Sequence, residues 1–240
     1  MQPELCILAR IRSEFPTKFG IPRQSGLVPA LRAAVVFEPP FRNPEAVRGL
    51  EGFSHIWLIW HFSQVPPGTW SPTVRPPRLG GNCRMGVFAT RSPFRPNALG
   101  LSCVRLECIA QDPDLGPVLT VSGADLMDGS PILDIKPYVP YADAHPEATG
   151  GFTSAVDRSL LEVEFPAKLF QKVPVSHRDA LLGVLRQDPR PAYQDDPGRV
   201  YGLAFAGCDI RFTVQNRRLF VQAVEMLPQA GDSKTLNVQE

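Results

Sequence analysis

Between Gly52 and Leu106 the chain carries no aspartate and no glutamate. Those 55 residues hold six arginines, Arg75, Arg78, Arg84, Arg91, Arg95 and Arg105. Acids make up 24 of the 240 residues, so a window of this length should hold roughly five. A solvated face mixes both signs, which makes an ordinary surface a poor account of the stretch. Arginine is the residue for bidentate recognition of phosphate and for stacking on bases. Pro76, Pro77, Gly80, Gly81, Pro93, Pro96 and Gly100 punctuate the run, so stiff loop is expected over much of it. A cradle for an anionic ligand fits best; a basic loop with no partner is the alternative.

Other absences narrow the field. No run of about 18 apolar residues exists, and the N-terminal MQPELCILARIRSEF has no charged-then-apolar leader pattern, so no membrane partner and a cytoplasmic location are expected. Net charge is +1, so a nucleic-acid footprint has to be local. The five cysteines, Cys6, Cys83, Cys103, Cys108 and Cys208, show no C-x-x-C spacing, which argues against a disulfide framework or zinc site. His55, His61, His145 and His177 have no ligand spacing either, and no metal is expected. Cys83 lies among the arginines, which could activate it as a nucleophile, but no histidine is near it in sequence. There is no P-loop, no G-x-G-x-x-G and no glycine fingerprint of a Rossmann-type methyltransferase.

What is present is proline, 26 residues spread through the chain, about twice the usual share. Between these punctuation marks lie short apolar runs. Strands are expected over Leu5–Ser13, Ala33–Glu38, Ser54–Ser63, Met85–Thr90, Leu101–Ala110, Val118–Ser122 and Ile132–Ile135. Val104, Leu106, Cys108 and Ala110 should share one face of their strand, with Arg105 and Glu107 on the other. Arg42–Gly52 reads as a turn of helix, capped by Asn43, opened by Pro44 and ended by Gly49. Many short strands and few helices predict a β-barrel, closed or nearly so, for roughly the first 140 residues.

Tyr141–Phe152 is polar and glycine-containing, a natural boundary. Beyond it a strand is expected over Leu160–Phe165 and a helix over Ser176–Gln187, with Ser176 as cap and Asp179 completing a capping box. Three further strands follow, Val200–Phe205, Asp209–Val214 and Leu219–Val224, the last two joined by a turn at Gln215–Arg218. The expected organisation is mainly β: a barrel over residues 1–145, a small α+β domain over 146–228, and a disordered tail over 229–240.

Three loops besides the arginine stretch carry chemistry. Pro22-Arg23-Gln24 lies in the first connection. Asp125-Leu126-Met127-Asp128-Gly129 follows an apolar strand; its carboxylates could bind a metal, hold ribose hydroxyls or cap the turn. Asp188-Pro189-Arg190-Pro191-Ala192-Tyr193 fixes an arginine and a tyrosine in extended geometry, for phosphate and base or as a rigid linker.

The residues also carry a family resemblance. IPRQSGL (21–27), AVRGLEGFSHIW (46–57), WSPTVRPPRLGGNCRMGVFATRSPFRPNALGLS (70–102), ADLMDGSPILDIKPYVPYAD (124–143) and DPRPAY (188–193) resemble, in order, the TrmO (TsaA, YaeB) family of tRNA adenosine N6-methyltransferases. The resemblance implies a non-Rossmann barrel that binds S-adenosylmethionine, and a homodimer. It implies methylation of N6 of threonylcarbamoyladenosine (t6A) at tRNA position 37, giving m6t6A. Donor-site positions carry over to Pro22, Arg23, Gln24, Ser63, Gln64, Arg91, Leu101, Asp125, Leu126, Met127 and Asp128. The family's usual His-Gln stands here as Ser63-Gln64, with His61 two residues earlier. Asp128 is the candidate acceptor of the amine proton. Arg75, Arg78, Arg84, Arg95, Arg190 and Tyr193 are the candidate tRNA contacts, with DPRPAY gripping the anticodon loop from the second domain. The competing hypotheses are an RNA-binding module without catalysis and a hydrolase using Cys83.

Overall fold

Alternation of side chains organises the first half of the chain. Strand β1 (Ala9–Arg12) buries Ala9 and Ile11 and turns Arg10 and Arg12 outward. Strand β3 (His55–His61) buries Ile56, Leu58 and Trp60 in the same way. With β2 (Arg32–Phe37), β6 (Leu99–Asp112), β7 (Gly116–Ser122) and β8 (Pro131–Pro137), they close a six-stranded barrel in the order β1-β2-β7-β6-β3-β8. Every pair is antiparallel, and β8 returns to β1 through Ile132 opposite Ala9. These relations come from a computed structural model that describes residues 5–76, 83–191 and 196–228. Ile11, Val35, Ile56, Leu58, Leu119 and Leu126 are wholly buried inside the barrel. Fully burying one such side chain contributes about 1.5–3 kcal/mol, and the closed ladder leaves no edge unpaired.

The longest strand departs from simple alternation. In β6, Val104 and Leu106 point inward as expected, with Ser102 beside them, but Cys108 and Ala110 are exposed. The register with β7 shifts between Leu106 and Cys108, and one extra residue there reverses which face the following residues present. The expected strand at Met85–Thr90 is also corrected. Only β5 (Met85–Gly86) is extended, paired with β4 (Thr73–Val74), and Val87–Ala89 closes into a 3-10 turn. Arg42–Gly52 forms two 3-10 turns, Pro44–Val47 with the Asn43 side chain accepting from Glu45 N, and Leu50–Gly52.

A second sheet, β10-β11-β12-β9, is built from β9 (Glu162–Glu164), β10 (Tyr201–Phe205), β11 (Cys208–Gln215) and β12 (Arg218–Met226). Asn216 and Arg217 both take positive φ, the two-residue turn that suits a hairpin. Three helical segments accompany this half of the chain. Helix α1 (Pro140–Asp143) follows the barrel, where the Trp57 indole N–H donates to Asp143. Helix α2 (Ala167–Phe170) packs against β12, and α3 (Arg178–Arg186) buries Ala180, Leu181, Val184 and Leu185. The start of α3 differs from expectation. Val175–His177 forms a 3-10 turn, His177 stands at the cap position, and the Ser176 hydroxyl meets the His177 ring instead of a helix N–H. The other ring nitrogen of His177 lies 3.0 Å from the Glu14 carboxylate, which makes the ring a strut between the two halves.

The two halves interlock through the β1–β2 connection. Phe15, Val28 and Leu31 belong to the core of the second sheet, although they lie between two barrel strands. The approach is close enough to require glycine. Gly20 has φ +85, and a Cβ placed there would stand 2.2 Å from Cδ1 of Leu203, a wholly buried residue of β10. Gly20→Ala therefore combines backbone strain with overpacking and is expected to destabilise the fold by about 2–4 kcal/mol. Gly49→Ala, at φ +86 but facing open space, should cost only about 1–2 kcal/mol. Thermal unfolding of the two variants checks the difference; equal losses would show that the Gly20–Leu203 contact is not tight.

Candidate active site

Three connections leave the same end of the barrel: 13–31 between β1 and β2, 62–98 between β3 and β6, and 123–130 between β7 and β8. All the positions expected from the sequence to form a donor site lie on these connections or at the adjoining start of β6. Backbone bonds stitch two of the loops together, with Gly26 N donating to Gly123 O at 2.8 Å and Asp128 N to Phe15 O at 2.9 Å. A guanidinium N–H of Arg91 donates to the side-chain oxygen of Gln24, joining the long connection to the first.

Asp125 lies at the centre. Its Oδ1 accepts from the Ser102 hydroxyl at 2.6 Å, and Ser102 Oγ in turn accepts from the Trp60 indole N–H at 3.0 Å. Burial pushes the Asp125 carboxyl above the usual carboxylate range. The Ser102 hydrogen bond, the residue's own N–H, the Arg91 charge and the Ser25 N–H pull in the opposite direction. A half-buried carboxylate that feels the charge of a guanidinium on a neighbouring loop can hold hydroxyls or a cationic group, while the guanidinium takes a carboxylate or phosphate.

Asp128 has a different environment. It is exposed, and its Oδ1 accepts from Ser13 N at 2.9 Å, which ties the loop to the end of β1. Leu126 is wholly buried in the barrel core, and its carbonyl accepts from the Ser13 hydroxyl. Met127 is half-buried, Pro22 buried, Arg23 exposed and Leu101 exposed. Ser63 and Gln64 form the exposed turn that ends β3 at the same end of the barrel.

The arginines divide by what they already hold. Arg95 is half-buried, donates to the carbonyls of Thr90 and Ser92, and lies over the Phe88 ring at 6.0 Å, so it shapes its own loop. Arg84 donates to the Thr73 hydroxyl, and Arg75 is exposed. Arg78 and Tyr193 lie outside the described residues. Arg190 is largely buried, pairs with Asp188 through two nitrogens at 2.9 and 3.0 Å, and its carbonyl accepts from Arg23 at 3.2 Å. The DPRP turn thus packs against the Pro22–Gln24 loop rather than standing apart on the second sheet. A cleft of about 240 Å³ separates them, lined by Lys18, Ile21, Arg23, Gln187 and Arg190 among others. Cys83 is exposed and its thiol faces the Arg84 carbonyl.

Ser102 and Trp60, which hold Asp125 through this hydrogen-bond chain, carry no motif in the sequence. A signal existed, because Ser102 stands between Gly100 and Val104 at an inward position of β6. A hydroxyl buried at such a position needs a partner. Among the described residues no group of three or more His, Cys, Asp and Glu side chains is placed to hold a metal, and no helix is long and apolar enough to cross a membrane.

Two family descriptions match the chain: the tRNA-methyltransferase O N-terminal domain over residues 10–144 and the TrmO C-terminal domain over 158–227. The chain is 40% identical over 223 residues to a tRNA (adenine(37)-N6)-methyltransferase of Escherichia coli K12, covering 90% of this chain and 94% of that protein. It is 45% identical over 212 residues to a Pseudomonas aeruginosa protein provisionally named an S-adenosylmethionine-dependent methyltransferase, covering 84% and 88% of the two chains. A crystal structure of TrmO from Pseudomonas aeruginosa superposes with a TM-score of 0.73 at 36% identity, covering 94% of this chain and all of that one.

The contrast between the two carboxylates is open to measurement. Asp128→Asn keeps an oxygen for the Ser13 N–H and should leave the melting temperature unchanged, whereas Asp128→Ala removes it and should cost about 1 kcal/mol. An equal loss in both variants would show that charge, not the hydrogen bond, holds the loop.

Proposed function

The chain belongs to the tRNA-methyltransferase O family, and on that premise we propose that its barrel end binds S-adenosylmethionine and directs methyl transfer to N6 of adenosine 37 in tRNA. The observation that carries this reading is the cluster of Gln24, Arg91 and Asp125, brought from three connections to one place. The methyl donor has a carboxylate, an ammonium, ribose hydroxyls and an apolar base, and the residues present match that inventory. Arg91 is suited to the carboxylate and Asp125 to hydroxyls or the ammonium. Leu101 and Met127 offer apolar surface, and the Pro22–Gln24 loop offers backbone groups. When bound, the donor supplies a methyl group activated on a sulfonium.

The protein's own task is placement, because in-line displacement needs alignment more than acid–base power. The exocyclic amine of adenine has a delocalised lone pair, and its proton leaves as the new N–C bond forms. Asp128 keeps one carboxylate oxygen on Ser13 and has the other as the proposed proton acceptor. We further propose t6A as the substrate and m6t6A as the product, with arginines of the acid-free stretch pairing with tRNA phosphates and the threonyl carboxylate. Residues 1–145 then form the donor-binding unit and 146–228 the unit that meets the anticodon loop, where tRNA is available in the cytoplasm. Trp70, Phe88 and Phe94 are exposed on the long connection, in support of a homodimer.

S-adenosylmethionine should raise the melting temperature of the purified protein, by mass action on the folded state. Methyl incorporation into t6A-bearing tRNA, compared with tRNA carrying unmodified adenosine 37, tests the finer substrate. Arg91→Ala is expected to keep the fold and lower methyl transfer by roughly ten- to over a hundredfold, the loss of one charge-assisted contact. Wild-type rates in that variant would remove Arg91 from the donor site.

A further inference from the structure

The hydrogen-bond chain from Trp60 through Ser102 to Asp125 has a donor at each link and ends on the carboxylate among the donor-site loops. Its first two members sit in the barrel wall. Trp60 is locked by packing: its ring lies 4.2 Å from that of Phe62, and Gly100 approaches so closely that a Cβ there would stand 2.3 Å from the indole. Ser102 is 1% exposed. Because the indole N–H can only donate, the Ser102 oxygen accepts from it, and the hydroxyl proton is left pointing at Asp125. With Asp125 ionised the polarity of the chain is fixed, because the carboxylate can only accept. A hydrogen bond donated toward a carboxyl favours its charged form.

We propose that Ser102, oriented by Trp60, is a positioning residue that fixes the Asp125 carboxylate as the anionic contact of the methyl donor. This rests on the donor-site reading above and adds two residues to it that no donor contact requires. It also gives the donor affinity a pH dependence with a definite sign. Burial raises the Asp125 carboxyl, and a bound cationic or hydroxyl-bearing donor stabilises its charged form. Affinity is then fully present above the carboxyl's value in the free protein and is lost as pH falls through it. Charged and titratable groups on the elements packed around Asp125 are Arg10, Arg12 and Glu14 on and after β1, Arg23 and Arg91 on the connections, His61 on β3, Arg105 and Glu107 on β6, and Asp128. Arg91 exerts the largest charge effect on it, while Arg10 is paired with Glu38, and Arg105 with Glu107.

The experiment measures the dissociation constant of S-adenosylmethionine by calorimetry, without tRNA, between pH 4.5 and 8 for wild type and variants. Ser102→Ala should move the acid-side loss of affinity upward by about one pH unit and leave affinity at pH 8 within a few-fold. Ser102→Thr, which keeps the hydroxyl, should restore the wild-type profile. Trp60→Phe removes the indole N–H together with part of the ring's packing and should give the same shift in smaller measure; it carries the test if Ser102→Ala does not fold. With Asp125→Asn in place, Ser102→Ala should no longer move the profile, which separates Asp125 from His61. Donor binding with the same pH profile in wild type, Ser102→Ala and Trp60→Phe would overturn the relay and leave the donor site standing. No donor binding by the wild type at any pH would overturn the donor-site reading itself.

Discussion

Closure of an even-numbered antiparallel barrel is the constraint on which the rest of the molecule depends. In the order β1-β2-β7-β6-β3-β8, neighbours alternate in direction all the way round, so β1, β3 and β7 point one way and β2, β6 and β8 the other. Each step from the first set to the second must turn at the same end. Those steps are the connections 13–31, 62–98 and 123–130, and the remaining turns, 38–54 and 113–115, fall at the opposite end. Segments separated by a hundred residues thereby reach one rim without any loop having to cross the barrel. The wall beneath them is rigid, which suits a reaction that depends on placement.

The acid-free stretch takes on a specific meaning in this frame. Most of it is the longest connection at that rim, and three of its arginines hold groups of the rim: Arg95 two carbonyls, Arg84 a hydroxyl, and Arg91 the side chain of Gln24. A nearby acid in the same loop would compete for these guanidiniums and neutralise the local field. The Arg91 charge reaches Asp125 from another loop, while the Ser102 hydroxyl holds that carboxylate from the barrel wall. The second sheet contributes by packing its DPRP turn beside the first loop, so that the Arg190 carbonyl and the Arg23 guanidinium meet.

Much of this was legible in the residues. The apolar, aromatic run Ser54–Ser63 announced a strand by its β-favouring residues, and proline and glycine marked its neighbours. What could not be read depended on partners distant in sequence. The bulge after Leu106 reverses the faces of Cys108 and Ala110 because of the register with β7, which no local pattern encodes. Phe15, Val28 and Leu31 look like scattered loop residues until the second sheet supplies their core. Asp125 and Asp128 are equivalent as letters; only burial, and the hydroxyl of Ser102, makes one a perturbed interior carboxylate and the other an exposed clasp on Ser13.

Amide hydrogen exchange with and without S-adenosylmethionine tests most directly whether one end of the barrel is the donor site. Donor binding should slow exchange in segments 22–26, 90–92, 99–102 and 123–128 together, and leave the opposite-end turns 38–54 and 113–115 unchanged. Protection confined to the opposite end, or to the second sheet alone, would contradict the account.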